Sequence, residues 1–390
     1  MNDLSPRLMP PLGWVVTACA VLLTTTGLLG VYASEAGTGE LPEQTLRQLM
    51  FLGMGITGFA IIQFIGYREI GRWAYPMFFV TLVLLVLLLV ARKVNLQPFI
   101  IPKRNTYRWI LIGPINIQVS EYAKFVYIVA LAYYLRYRTN YRSFAGLFMP
   151  FVLTLVPMAL ILKEPDLGTS LLLLPTLFVM LFVAGAKKRH LAIIISLGLI
   201  AAPVFYFSPL MNQYQRERIL AMFHQGEGDR AWQMNAGYQL NQSKIALGSG
   251  GVFGQGFTEG AFFRHDLLPE EHNDFIFAVL GHQWGFFGCL GILSLYLIII
   301  AVGLTIASAT PDPLGRLMAV GVCAIICAQT IINSGMTVGL MPVTGMGLPF
   351  ASMGGSGLIS NYMMLGILVS TARPRPLEMA RKPFEYDFDE

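Results

Sequence analysis

Asp274 closes a polar run, Leu267-Leu268-Pro269-Glu270-Glu271-His272-Asn273-Asp274, and opens an apolar one, Phe275-Ile276-Phe277-Ala278-Val279-Leu280. A carboxylate at the mouth of a membrane helix is costly to desolvate, which makes it a candidate base or charge-stabilising group. An acidic residue there also suits a plain helix start, where it complements the N-terminal dipole. Both readings stand on this stretch alone. Gln118-Val119-Ser120-Glu121-Tyr122-Ala123-Lys124 sets Glu121 and Lys124 three residues apart, on one helix face and within pairing distance. Such a pair is either a structural ion pair or part of a polar cavity. Lys163-Glu164-Pro165-Asp166-Leu167-Gly168-Thr169-Ser170 places three charges at a proline break between two apolar runs. Asp166 reads there as a helix cap, worth about 1 kcal/mol, or as a second cavity carboxylate.

Cations gather near these acids. Residues 92–108 carry Arg92, Lys93, Lys103, Arg104 and Arg108 without an acid, a pattern suited to an anionic substrate. Arg216 and Arg218 follow in Tyr214-Gln215-Arg216-Glu217-Arg218-Ile219. Two glycine-dense stretches flank Asp274 in the chain. Gly248-Ser249-Gly250-Gly251-Val252-Phe253-Gly254-Gln255-Gly256 permits close backbone approach, and suits either a phosphate cradle or a tight turn between helices. It fits neither a Walker A loop nor a dinucleotide fingerprint. Residues 335–357 hold seven glycines and are too broken for one helix. Irregular backbone at membrane depth must be buried in protein or line a cavity, so this segment is expected as a re-entrant loop beside Asp274. His265, His272 and His282 match no zinc spacing, so no metal ligand is assigned. A loosely held Mg²⁺ or Mn²⁺, bound by carboxylates and substrate phosphates, fits this chemistry better.

The elements that must position these groups are membrane helices. Of 390 residues, 55% are hydrophobic and 13% charged, with mean hydropathy +0.60. A soluble domain carries about 25% charged residues, so much of this surface faces lipid. No nucleic-acid partner is expected. Apolar runs near 12–33, 46–66, 74–91, 120–136, 146–163, 169–186, 189–207, 274–306, 316–334 and 356–372 are long enough for about 30 Å of hydrocarbon. The first is too long for a removed signal peptide. Cys19, Cys289, Cys323 and Cys327 lie inside such runs and read as packing residues. An all-α polytopic protein of ten spans is expected, a single unit over 1–390. Arg68 and Arg72, Arg136 to Arg142, Lys187 to Arg189 and Arg373 onward fall on one side, which the positive-inside rule assigns to the cytoplasm with both termini. The long segment 208–273 then lies outside, and 373–390 is a cytoplasmic tail. Residues 92–108 also fall outside, where their cations run against the rule, so either the span count differs there or those cations serve an anionic substrate.

Five motifs in order over residues 12–372 carry a resemblance: Arg108-Trp109-Ile110 with Gln118 to Lys124; Pro165 to Ser170; Tyr214 to Ile219 with Gln242 to Gly251; Leu268-Pro269-Glu270 with His272 and Asp274 to Ala278; and Asn333, Gly339, Leu340, Pro342, Gly345, Leu348-Pro349 and Gly354-Gly355-Ser356. Together they resemble the SEDS family of shape, elongation, division and sporulation proteins, on the RodA branch with FtsW as its sister. Val119, His282-Gln283, Met353 and Gly357 depart from the family pattern, and none touches Asp274. The missing acidic pair at 282–283 weighs against a family metal site there.

The resemblance implies a peptidoglycan glycosyltransferase of the bacterial cytoplasmic membrane that polymerises lipid II on its outer face, in wall elongation and cell shape. Asp274 is the implied catalytic carboxylate. Lys124, Arg108, Arg216 and Arg218 are the cations for the pyrophosphate, and Glu121 and Asp166 belong to the same cavity. A class B penicillin-binding protein is the implied partner. Small residues on 316–334 and 356–372, namely Gly315, Ala319, Gly321, Ala324, Ala328, Gly357 and Gly366, are the expected docking face for its single helix. The competing classes are a flippase for the same lipid and a non-catalytic scaffold. An inverted repeat would favour transport, and the large outer segment ending on Asp274 favours chemistry.

Overall fold

A computed structural model describes residues 9–35, 43–91, 94, 100, 107–112, 115–138, 140–208, 211, 213–223, 236–257 and 273–373. Every one of the ten apolar runs coincides with a helix. These are α1 (Met9–Glu35), α2 (Glu43–Ile65), α4 (Ala74–Ala91), α5 (Val119–Leu135), α6 (Phe148–Lys163), α7 (Leu167–Ala184), α8 (Lys188–Phe207), α11 (Ile276–Ala309), α12 (Pro313–Val338) and α13 (Gly355–Thr371). Seven of them are long and apolar enough to cross a membrane by length and composition. Shorter helices α3 (Tyr67–Arg72), α9 (Gln213–Phe223) and α10 (Ala236–Gly250) connect them. Helix is the solution the sequence forces, because a span in lipid must satisfy its own backbone groups. The spanning helices are apolar on their outer as well as their inner faces because the outer face meets lipid: Leu85 and Leu88 of α4 are wholly buried, while Phe79 and Val83 face outward.

An antiparallel hairpin departs from the helical plan. β1 (Trp109–Ile112) pairs with β2 (Ile115–Gln118), Trp109 opposite Gln118 and Ile112 opposite Ile115. β2 runs directly into α5, so the hairpin fixes the height of Gln118 and Glu121.

α12 is the central post, packed against α5, α7, α10, α11 and α13. Asp312 starts it, accepting from Leu314 N at 3.1 Å, and also accepts from Tyr67 Oη at 2.9 Å and Arg68 Nε at 3.3 Å. Gly339 ends it in the left-handed conformation. α2 lies along α13, where Gln63 Nε2 donates to the Gly366 carbonyl at 2.7 Å. Most of the small residues of these helices serve internal packing, which corrects the expected docking face at those positions; Ala328 and Gly357 are half-buried, and Gly357 lines the cavity described below. Ala319 is fully buried and Ala324 nearly so. Gly321 is filled against by Ile128, Gly315 by Tyr67 and Gly366 by Ile62. A partner helix cannot reach them without parting the bundle.

The long run at 274–306 is two helices joined at a break. Gly285 has φ 65° and ψ −160°, which interrupts the backbone ladder of α11. The glycine-dense segment after α10 fills the interruption. Gln255 N donates to the His282 carbonyl at 3.0 Å and Gly256 N to Gln283 at 3.3 Å. In return Phe286 N donates to Gly251 at 3.0 Å and Phe287 N to Val252 at 3.3 Å. Broken-helix groups are thereby satisfied inside protein. Gly254, at φ 87°, sits where a Cβ would overlap the Gln283 carbonyl. Close approach to the helix break, which neither the phosphate cradle nor the tight turn anticipated, accounts for Gly250 and Gly254.

Candidate functional site

A cavity of about 910 Å³ opens among the hairpin, the 163–169 break, α9, the start of α11 and the 345–358 segment. Its wall includes Arg108, Gln118, Glu121, Glu164, Asp166, Arg218 and Asp274. Charges far apart in sequence therefore share one space, the arrangement that spares each from lipid.

Asp274 sits just ahead of α11, and the cap position belongs to Phe275, not to the carboxylate. The glycine-rich segment after Gly339 packs beside it as irregular backbone. Val343, Met346, Leu348 and Phe350 of that segment are buried. Gly345 adopts φ 75°, and a Cβ there would meet Arg218 Nη1 at 2.9 Å and Asp274 Oδ2 at 3.5 Å. Glycine at 345 thus lets guanidinium and carboxylate face the same point. Asn333, fully buried on α12, clamps this corner: its Nδ2 donates to the carbonyls of Asp274 at 2.8 Å and Met346 at 2.6 Å.

Glu121 and Lys124 form an ion pair, Oε2 to Nζ at 2.8 Å. Lys124 is 1% exposed and lies beneath the wall, while Glu121 lines the cavity. Lys124 Nζ also donates to Gln329 Oε1 at 3.2 Å, and Gln329 Nε2 donates to the Gly347 carbonyl at 2.7 Å. The lysine therefore links α5 to α12 and, through Gln329, to the glycine-rich segment. It reaches the cavity only through its partners, unlike the direct anion contact the sequence suggested.

At the 163–169 break, Asp166 does two jobs at once. Its Oδ1 accepts from Thr169 N at 3.2 Å as the cap of α7, and its Oδ2 accepts from Ser120 Oγ at 2.8 Å and Gln118 Nε2 at 3.2 Å. Arg108 closes over the break, donating from Nε to the Glu164 carbonyl at 2.6 Å and from Nη2 to the Pro165 carbonyl at 2.5 Å. Two of its donors are thereby spent on backbone. Burial pushes the Glu164 carboxyl up to about 9, with the negative Asp166 adding to the rise and Arg108 opposing it.

Of the expected site residues, Asp274, Glu121, Arg108, Asp166 and Arg218 line the cavity, and Lys124 supports it. Arg216 is turned away and donates from Nη2 to the Ser208 carbonyl at 2.6 Å. Glu164, Gln329 and the clamping role of Asn333 were not assigned from sequence. Arg92, Lys93, Lys103, Arg104, His265, Glu270, Glu271 and His272 lie outside the described residues. Among the described residues no group of three or more His, Cys, Asp or Glu side chains gathers as a metal site.

The comparisons with known proteins agree with this architecture. The Cell cycle protein family of FtsW, RodA and SpoVE matches residues 13–376. Stage V sporulation protein E of Bacillus subtilis is 35% identical over 363 residues, covering 90% of this chain and 94% of that protein. The peptidoglycan glycosyltransferase MrdB of Escherichia coli K12 is 34% identical, covering 83% of this chain and 84% of its own. The probable peptidoglycan glycosyltransferase FtsW of Trichlorobacter lovleyi is 33% identical over 91% of this chain and 92% of its own. Among solved structures, a chain described under structural coordination of polymerization and crosslinking by a peptidoglycan synthase complex superposes with TM-score 0.75 at 29% identity, over 92% of this chain and 97% of that one. The rod shape determining protein RodA of Thermus thermophilus gives 0.66 at 28% identity, over 92% and 96%. With its membrane helices, its shared cavity and a match along nearly its whole length, the chain belongs to the FtsW, RodA and SpoVE family of cell cycle proteins.

Proposed function

We propose that this protein is a peptidoglycan glycosyltransferase that polymerises lipid II, with Asp274 as its base. The observation that carries the reading is the convergence of Asp274 and Arg218 on Gly345 at the wall of one large cavity. The acceptor sugar's 4-hydroxyl gives its proton to Asp274 as its oxygen bonds to C1 of the donor sugar. The C1–O bond to pyrophosphate breaks, its electron pair leaves on undecaprenyl pyrophosphate, and C1 is inverted. A phosphate leaving group needs charge stabilisation more than a proton, and Arg218, on the cavity wall near Asp274, is the proposed group for that charge. Arg108 and Asp166 shape the wall, and the Lys124–Glu121 pair positions the glycine-rich segment. A divalent cation, if bound, would be held by cavity carboxylates and substrate phosphates and would add to the same charge stabilisation.

The chain is a multi-pass membrane protein. Ten crossings in the bacterial cytoplasmic membrane, both termini in the cytoplasm and 208–273 outside, complete the proposal, supported by the loop cations. So does a class B penicillin-binding protein as partner, supported by the polymerization-and-crosslinking complex that the fold resembles. Its docking face lies elsewhere than the buried α12–α13 seam. Wall elongation is the proposed setting; relatives named for sporulation and for the MrdB and FtsW enzymes match at 33–35% identity, so overall identity does not separate the settings. Purified protein incubated with lipid II, with glycan strands resolved on a gel, tests the reading. Strands support it. Intact lipid II, moved across vesicles or left in place, would favour the flippase or the scaffold.

A further inference from the structure

α5, α6 and α7 each have one end at the cavity, and their other ends carry cations without acids. No acid stands between Glu121 and Glu164 or between Asp166 and Glu217, whereas Arg136, Arg138, Arg142, Lys187, Lys188 and Arg189 all do. Two connections at that end are joined into one platform. Tyr141 Oη, in the α5–α6 connection, donates to the Ala184 carbonyl at the end of α7, at 2.8 Å. The Phe144 ring meets the His190 ring edge-on, with centroids 5.8 Å apart, and so ties the same connection to the first turn of α8. Gly185 ends α7 at φ 101°, and the Arg142 guanidinium lies above it: a Cβ there would meet Nη2 at 3.7 Å. Arg142 is thereby held beside the turn that carries Lys187 and Lys188. Arg136 and Arg138 are stacked on Tyr133 and Tyr134. Arg142, Lys187, Lys188 and Arg189 are exposed, and none of them enters an ion pair among the described residues.

We propose that this platform binds the phosphate of an anionic phospholipid, with Arg142, Lys187 and Lys188 as its cations. Orienting the chain in a membrane asks only for the sign of a loop's charge. It does not ask that two loops be pinned together so that their cations stand side by side. A guanidinium offers a phosphate two parallel donors and an ammonium adds a point charge. The surroundings select a lipid over a soluble anion or an acidic peptide. Phe144 and Phe148 project beside the cations, 56% and 73% exposed, and the outer face of α8 continues as apolar surface through Ile193 and Leu197. Acyl chains have a place there, and a water-soluble ligand gains nothing from it. Lys188 Nζ sits 5.5 Å from the centre of the exposed Phe182 ring, an ammonium kept at the apolar boundary. With 17 residues in α5 at about 1.5 Å each, the platform lies about 25 Å from the cavity. It is a second lipid site, independent of the polymerase reading.

Native mass spectrometry of the full chain in detergent, titrated with dioleoylphosphatidylglycerol or dioleoylphosphatidylcholine, tests the proposal through the first bound lipid. The two lipids share their acyl chains and their phosphate and differ in net charge. The parent should bind the anionic lipid at least about tenfold more tightly than the zwitterionic one, and the variant Arg142→Gln/Lys187→Gln/Lys188→Gln should lose that preference, since each cation near a membrane surface contributes severalfold. The charge-keeping variant Arg142→Lys/Lys187→Arg/Lys188→Arg should stay within about threefold of the parent. So should Arg47→Gln, which removes an exposed cation of α2 that is paired with Glu43. Decaglutamate and inorganic phosphate, added at the lipid's own concentration, should leave the lipid bound. Equal affinity of the parent for both lipids would overturn the proposal, as would an undiminished preference in the triple glutamine variant or an equal loss in the charge-keeping one. Displacement by decaglutamate would reassign the platform to an acidic protein segment, and displacement by phosphate to a free anion; either result overturns the lipid site.

Discussion

One amide of Asn333 holds the carbonyls of Asp274 and Met346 together, at 2.8 Å and 2.6 Å, from a fully buried position on α12. The carboxylate side of the cavity and the glycine-rich segment are thus referenced to the same helix. Asn333→Leu strands both carbonyls, at about 1–3 kcal/mol for each buried group left unpaired. The variant should melt several degrees lower in a thermal-shift assay. Strand synthesis should fall by at least about tenfold, since displacing a reacting group by 1 Å costs up to about a hundredfold.

The Lys124–Glu121 pair calls for a double-mutant cycle. Lys124→Met leaves Glu121 facing the cavity without its cation, and breaking a buried pair costs about 3–5 kcal/mol. Glu121→Gln with Lys124→Met removes both charges and should recover most of the thermal stability. Polymerisation should stay low in the double variant if Lys124 positions Gln329 and the Gly347 carbonyl, to which they are linked at 3.2 Å and 2.7 Å. Recovery of both stability and rate would reduce the pair to a structural one.

Gly254 holds the segment that patches the break in α11. Gly254→Ala meets the Gln283 carbonyl and carries a side chain at φ 87°, so strain of about 1–3 kcal/mol is expected. Its melting temperature should fall clearly. Gly251→Ala, with open space around it but φ 57°, should fall less.

Topology is open to single-cysteine labelling in a background without the four native cysteines. Phe253 and Tyr137 are strongly exposed and follow α10 and α5 respectively. A membrane-impermeant thiol reagent applied to intact cells should modify Phe253→Cys and spare Tyr137→Cys. The opposite pattern would turn the protein over and move the cavity to the cytoplasmic side.

Much of the helical plan was legible because lipid imposes it: each apolar run long enough to span is a helix. The hairpin was not, since Ile115-Asn116-Ile117-Gln118 is only four residues long and runs straight into a helix pattern. The acids and Arg218 were legible because charges in an apolar chain are conspicuous. Gln329 was not, as an uncharged amide in an apolar helix carries no signal until the chain folds around it. Arg216 and Arg218 lie two residues apart on α9, a spacing that puts them on different faces, and only Arg218 reaches the cavity. Small residues on α12 and α13 suggested a docking seam, but close packing inside a bundle uses the same residues.

The central claim rests on Asp274. Purified parent and Asp274→Asn, matched for folding by melting temperature and for lipid II binding, are compared in the glycan-strand assay. Asparagine keeps the shape and cannot take the acceptor's proton, and general-base catalysis contributes about a hundredfold to ten-thousandfold. The account predicts parent-like folding and binding with strand synthesis reduced by at least that lower factor. Strand synthesis at the parent rate in Asp274→Asn would contradict it.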